Sequence, residues 1–111
     1  MLIRRITGLL SDKMAEDIVV IDMRQHLNIV DYFVLCSVGS ERQAHAVAGY
    51  VKEELRKAGV SPQGIEGVQP GKWVIMDYGD VALHIFLGPV RLYYDIDGLW
   101  SDARRAVPEE I

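Results

Sequence analysis

The sequence predicts a single-domain α/β fold, a β-sheet flanked by helices, and three observations carry that prediction. Two continuous apolar runs, Asp17-Ile18-Val19-Val20-Ile21-Asp22-Met23 and Asp31-Tyr32-Phe33-Val34-Leu35-Cys36-Ser37, are too short for helices and read as buried strands. Ser40 to Ala58 carries a helix signal with a start, an apolar stripe and a stop. Trp73 to Leu87 alternates between two faces on either side of Tyr78-Gly79-Asp80, the pattern of a hairpin. At 111 residues the chain fits one domain, and a chain of this size buries roughly 65% of its unfolded surface, enough for one core. Residues 1–106 are expected to form that domain, with 107–111 as a short frayed tail.

Taken in order, Leu2 to Met14 places Leu2, Ile3, Ile6, Leu9, Leu10 and Met14 at helical spacing, with Arg4, Arg5, Ser11 and Asp12 largely opposite. Gly8 weakens this helix by about 1 kcal/mol relative to alanine. The two apolar strands follow, joined by a polar connector from Arg24 to Ile29, and their closeness in sequence predicts that they pair. Ser40-Glu41-Arg42-Gln43 reads as a capping box, in which Ser40 and Gln43 satisfy each other's backbone amides. Ala44, Val47, Ala48, Val51, Leu55 and Ala58 form the stripe, Glu53 and Lys57 sit at ion-pair spacing, and Gly59 supplies the left-handed stop. Arg42, His45, Gly49 and Lys52 are expected on its outward face. Val60 to Lys72, rich in glycine and proline, reads as a loop in which Ile65-Glu66-Gly67 forms a short edge strand. After the hairpin, Pro89 opens a helical turn and Asp95 caps a last helix that buries Ile96, Leu99, Trp100 and Ala103.

Half of the residues are hydrophobic and a quarter charged, the ordinary globular balance. No apolar run approaches the ~20 residues of a membrane span, and MLIRRITGLLSDK lacks the long apolar stretch and cleavage site of a signal peptide. The single cysteine, Cys36, lies among Val34, Leu35 and Val38, so a buried, reduced thiol in a cytoplasmic protein is expected. With 12 basic and 16 acidic residues the net charge is -4, a field that repels nucleic acid and suits a basic protein surface. Neither a membrane nor a specific nucleic-acid sequence is therefore an expected direct partner.

Catalysis would fall to Asp22, Asp77 and Asp80, because acids on neighbouring strands can hold Mg²⁺ for phosphoryl or nucleotidyl transfer, with Gly39-Ser40 taking phosphate at a helix start. The sequence has no P-loop, no GxGxxG, no paired Cys/His spacing and no basic run to complete such a site, so no metal and no cofactor is expected. His84 lies mid-strand beside Ala82 and Phe86 and reads as a packed or hydrogen-bonded side chain of the hairpin. Cys36 is inside an apolar strand and Ser40 is occupied as a cap. What remains is a partner-binding face of Glu66, Trp73, Asp77, Tyr78, Asp80 and His84, with Arg91 and Tyr94 close in sequence, since aromatic anchors ringed by charge are what protein interfaces prefer. Trp73 and Tyr78 are the expected anchors and the acids the expected electrostatic rim. The competing assignment puts Trp73 and Tyr94 in the core and leaves the acids merely solvated.

These elements together resemble the ribosomal silencing factors, also called Iojap-like proteins. The resemblance is carried in unbroken order by Asp17–Asp22, Asp31–Ser37, Ser40-Glu-Arg-Gln43, Glu66-Gly67, Trp73-Val-Ile-Met-Asp-Tyr-Gly-Asp80, Val81–Phe86, Arg91, Tyr94 and Leu99-Trp100. It implies a mixed-sheet fold similar to a minimal nucleotidyltransferase, without enzyme activity. It also implies docking on the large ribosomal subunit, through its protein number fourteen, and a steric block to joining of the small subunit. A Mg²⁺-dependent transferase and a self-associating interaction domain are the alternatives, and a homodimer of the free protein is compatible with docking. Two stretches depart from the family pattern: Ser37-Val38-Gly39-Ser40 stands where Ser-Gly-Thr-Ser is usual, and Ile96-Asp97-Gly98 stands where Leu-Glu is common, so that Gly98 is expected to loosen the last helix.

Overall fold

Six strands pair into one mixed sheet in the computed structural model, which describes residues 2–111. In chain order the elements are α1 (Leu2–Asp12), β1 (Glu16–Asp22), β2 (Tyr32–Val38), α2 (Glu41–Lys57), β3 (Gly64–Glu66), β4 (Trp73–Asp77), β5 (Val81–Leu87), α3 (Gly88–Tyr94), α4 (Ile96–Leu99) and β6 (Arg105–Ala106), followed by a 3-10 turn at Pro108–Glu110. The spatial order is β3-β4-β5-β2-β1-β6. Only β2 and β5 run parallel; the other neighbours are antiparallel. This is the mixed α/β domain that the sequence predicts, with the two apolar strands paired as expected.

Period-two alternation divides the sheet into two faces. On the first, Val34, Cys36, Val74, Met76, Leu83 and Ile85 meet Ile6 and Leu10 of α1 and Val47, Val51 and Leu55 of α2 in the main core. On the second, Ile21, Leu35 and Phe86 cluster with Met23 and Ala103, and Val90, Ile96 and Trp100 pack against them. The α3–α4 segment thus covers the second face only over its β1, β2 and β5 side, and the β3–β4 side stays open.

Ser40 caps α2 as predicted, its hydroxyl accepting from the Gln43 amide at 3.0 Å, but the Gln43 side chain accepts from the Gly39 amide at 2.8 Å rather than from Ser40. The helix-surface ion pairs also shift by one place, to Arg56 with Glu53 and Lys57 with Glu54. His45 does not face solvent: its Nε2 meets the Val68 carbonyl, tying α2 to the loop before β4. The last helix is shorter than predicted: Asp95 caps its start by accepting the Gly98 amide, and it ends at Leu99, which is 65% exposed rather than buried. The C-terminus is not frayed. Ala106 and Arg105 pair with Val20 and Ile21, and the Arg4 guanidinium donates to the carbonyls of Pro108 and Glu109. Two residues carry too little alternation to announce such a strand. Cys36 is fully buried, and that burial pushes its thiol up to about 12.

Candidate docking face

Strand register sets the composition of the open face. Glu66 lies opposite Ile75, Ile75 opposite His84, and His84 beside Leu35, so these four form one row across the sheet. Asp77, Ala82 and Phe33 form the next row, and Trp73 and Phe86 the one on the other side. Glu66 and Asp77 are exposed, while Ile75, Ala82 and Phe33 are half-buried. Trp73 stacks on Phe86 with ring centroids 4.9 Å apart, leans on Tyr94 at 4.9 Å, and its indole N–H donates to Nδ1 of His84 at 3.1 Å. Leu92 and Tyr93 on α3 are 82% and 81% exposed beside Tyr94. A single contiguous sheet side therefore offers aromatic rings flanked by acids.

The structure brings Glu66, Trp73, Asp77 and Tyr94 to this side, with Asp80 exposed at the hairpin tip; it buries His84 beneath the face, where it cannot contact a partner directly, and it removes two further residues that the sequence assigned to the face. Tyr78 belongs to the opposite face: its ring is buried in the main core, its hydroxyl meets no partner among the described residues, and burial pushes its pKa up to about 12. Residues 73 and 78 differ by an odd number of positions, so the pleat sends them to opposite faces. Arg91 is also buried. Its guanidinium donates to both carboxylate oxygens of Asp97 at 3.0 and 2.8 Å, to the Asp17 carbonyl at 2.7 Å and to the Ser37 hydroxyl at 2.9 Å, binding α3 and α4 to the ends of β1 and β2. Sequence reasoning did not single out Ile75, Phe33, Leu92, Tyr93 or Leu99 as surface residues. Leu92, Tyr93 and Tyr94 in succession on one short helix were the available signal, since three consecutive helical positions span about 200° and cannot all face the core.

The acids differ in their freedom. Asp77 accepts the Gly79 amide at 2.8 Å and so shapes the hairpin turn, in which Gly79 takes φ +85°. Among the described residues Glu66, Asp77 and Asp80 have no cationic partner, whereas Asp22 is held by Arg24 in a two-point pair that lowers its pKa. The arrangement is a poor phosphoryl-transfer site. Asp80 precedes β5 and Ser40 follows β2, and because those strands are parallel the acids and the helix start lie at opposite ends of the sheet, roughly 20 Å apart at ~3.3 Å per residue. The Gly39 amide is also already occupied. Among the described residues no group of three or more His, Cys, Asp or Glu is arranged to hold a metal.

His84 is 7% exposed, and burial lowers its pKa to about 4. The unfolded chain would titrate near 6.5, so on acidification it binds the proton first, and stability present above pH 6.5 is lost as pH falls toward 4. We expect the wild-type protein to lose about 2–3 kcal/mol over that window relative to a His84→Phe variant, measured by urea unfolding at stepped pH. Parallel pH profiles would refute this.

Fold and face define the class: a small mixed-sheet α/β domain with one sheet side enclosed by helices and the other half open. The family model described as "Ribosomal silencing factor during starvation" matches residues 1–111, and the chain belongs to that family. It is 38% identical over 92 residues to the ribosomal silencing factor RsfS of Bacillus subtilis, covering 83% of this chain and 78% of that protein. A crystal structure of a Chromobacterium violaceum protein superposes with a TM-score of 0.87 at 35% identity, over 90% of this chain and 83% of the other. The mouse protein named "Mitochondrial assembly of ribosomal large subunit protein 1" is 31% identical over 99 residues, which make up 86% of this chain but 43% of that longer protein.

Proposed function

We propose that this protein is a translation repressor that binds the large ribosomal subunit through ribosomal protein number fourteen and sterically blocks joining with the small subunit. The half-open sheet face carries this reading. Trp73, Tyr94 and Ile75 supply apolar anchors, and Glu66, Asp77 and Asp80 supply charge without internal cationic partners among the described residues. Lys and Arg of a basic ribosomal protein are the complement of such a rim, and a net charge of -4 disfavours binding to bare RNA. The family's name and the mouse relative's name point to ribosomes and to the large subunit respectively. The action is one of occupancy, needs no cofactor and takes place in the cytoplasm. The exposed Leu92, Tyr93 and Leu99 also favour a homodimer of the free protein that gives way on docking.

Charge reversal tests the reading. Because Asp77 also shapes the turn, the cleaner pair is Glu66→Lys with Asp80→Lys, neither of which donates or accepts a side-chain hydrogen bond among the described residues. The double variant should unfold within about 0.5 kcal/mol of wild type, as exposed substitutions do. It should also lose salt-sensitive co-sedimentation with purified large subunits and stop reducing the yield of joined ribosomes. Undiminished co-sedimentation would remove this face from the mechanism.

A further inference from the structure

His84 occupies a place where an apolar residue would pack better. It lies on β5 in the middle of the second sheet face, 7% exposed, with ring centroids 4.7 Å from Phe33 and 6.0 Å from both Phe86 and Trp73. Its Nδ1 accepts the Trp73 indole N–H at 3.1 Å. An imidazole that accepts at Nδ1 carries its proton on Nε2 when neutral, and Nε2 is buried without a partner among the described residues. One ring nitrogen is thus satisfied and the other is not, which costs stability. Leucine or phenylalanine would fill the space without that cost, but neither could accept the indole proton.

The acceptor matters because of what holds Trp73. Stacking on Phe86 and the tilted contact with Tyr94 fix the plane of the indole but tolerate a flip about its last torsion, which is broad for aromatic side chains. The hydrogen bond to His84 distinguishes the two flips. We propose that His84 is a positioning residue of the docking face: through the Trp73–His84 hydrogen bond it presents one edge of the indole to the ribosomal partner, without itself touching that partner. The inference rests on Trp73 being an anchor of the proposed face. The ring stays neutral at working pH, since burial keeps it from protonation until about 4, so Nδ1 remains an acceptor.

The test compares His84→Phe, which keeps a ring and loses the acceptor, with His84→Asn, whose side-chain oxygen can stand near the Nδ1 position, and with Trp73→Ala. Purified large subunits are titrated in sedimentation binding, melting temperatures are recorded, and the Trp73 indole N–H resonance is followed by NMR, assigned with Trp100→Phe. The expected result is that His84→Phe melts at or above the wild-type temperature, moves the Trp73 resonance and binds about twofold more weakly, because two equal flips leave half of the molecules competent. His84→Asn should recover most of that loss, and His84→Phe should add nothing to Trp73→Ala. If Trp73→Ala abolishes binding while His84→Phe binds as wild type, the face stands and the positioning role is overturned. Early melting of His84→Phe with no recovery by asparagine overturns it too, in favour of packing alone. Wild-type binding by Trp73→Ala removes the face and the inference together.

Discussion

Replacing Arg91 by methionine is expected to cost about 3 kcal/mol of folding stability, the low end for a broken buried pair because Asp97 keeps a third of its side chain in water. Methionine preserves the apolar stem and deletes four donated hydrogen bonds: two to the Asp97 carboxylate, one to the Asp17 carbonyl and one to the Ser37 hydroxyl. The Ser37 hydroxyl and the Asp17 carbonyl would then have to find water at the end of the sheet. The guanidinium also holds the Asp97 carboxyl below its ordinary value through their hydrogen bonds, and its removal should raise that group. Urea unfolding of the single variants and of Arg91→Met with Asp97→Asn checks the account. In the methionine background Asp97→Asn should cost almost nothing, and full additivity would show that the pair is not coupled. Because Arg91 fastens the segment bearing Leu92, Tyr93 and Tyr94, the proposed large-subunit binding should weaken along with stability.

The second large effect is expected at Gly67. The backbone there takes φ +82°, and a Cβ would land on the Trp73 carbonyl oxygen and within 3.0 Å of its carbonyl carbon. An alanine would meet both the left-handed strain, about 1–2 kcal/mol, and overlap with backbone that cannot swing aside, about 1–3 kcal/mol. Gly67→Ala should therefore lose about 3 kcal/mol by chemical denaturation and displace the start of β4, on which Trp73 sits. Gly8→Ala is the matched control. It lies within α1, where a Cβ would meet no other part of the described chain beyond its own helical turn within 4 Å, and alanine there should stabilise by about 0.5–1 kcal/mol. Equal effects at the two glycines would refute the close-approach argument.

Particular residues explain what the sequence revealed and what it hid. The hairpin and α2 were legible because each repeats a period over five or more residues and ends in turn or cap chemistry, such as Ser40, Gly59 and Gly79, and the two apolar strands because each is an unbroken apolar run too short for a helix. Strand order was not legible. Nothing in Val81–Leu87 says that β5 lies parallel to β2 rather than at an edge, since burial on both faces is compatible with either neighbour. Tyr78 was misassigned to the face although parity alone separates it from Trp73; an aromatic beside a turn reads as exposed only until the pleat is counted. Arg91 was misassigned because arginine is rarely buried, and its partners at Asp17, Ser37 and Asp97 are brought together by the crossover, not by spacing. The Trp73–His84 bond is likewise a product of β4–β5 register, a diagonal contact that neither residue announces by itself.

The sequestered Cys36 makes the molecule convenient to label. The sequence holds one thiol, and it is fully enclosed between sheet and helices with its ionisation pushed up to about 12, so maleimide dyes will find no native thiolate while the domain is folded. A single cysteine introduced at the exposed Lys52 on α2, away from the proposed docking face, would then be the sole reactive handle, without any need to mutate the native one. A fluorophore placed there would test the proposed docking on the large subunit in real time, on an otherwise wild-type chain.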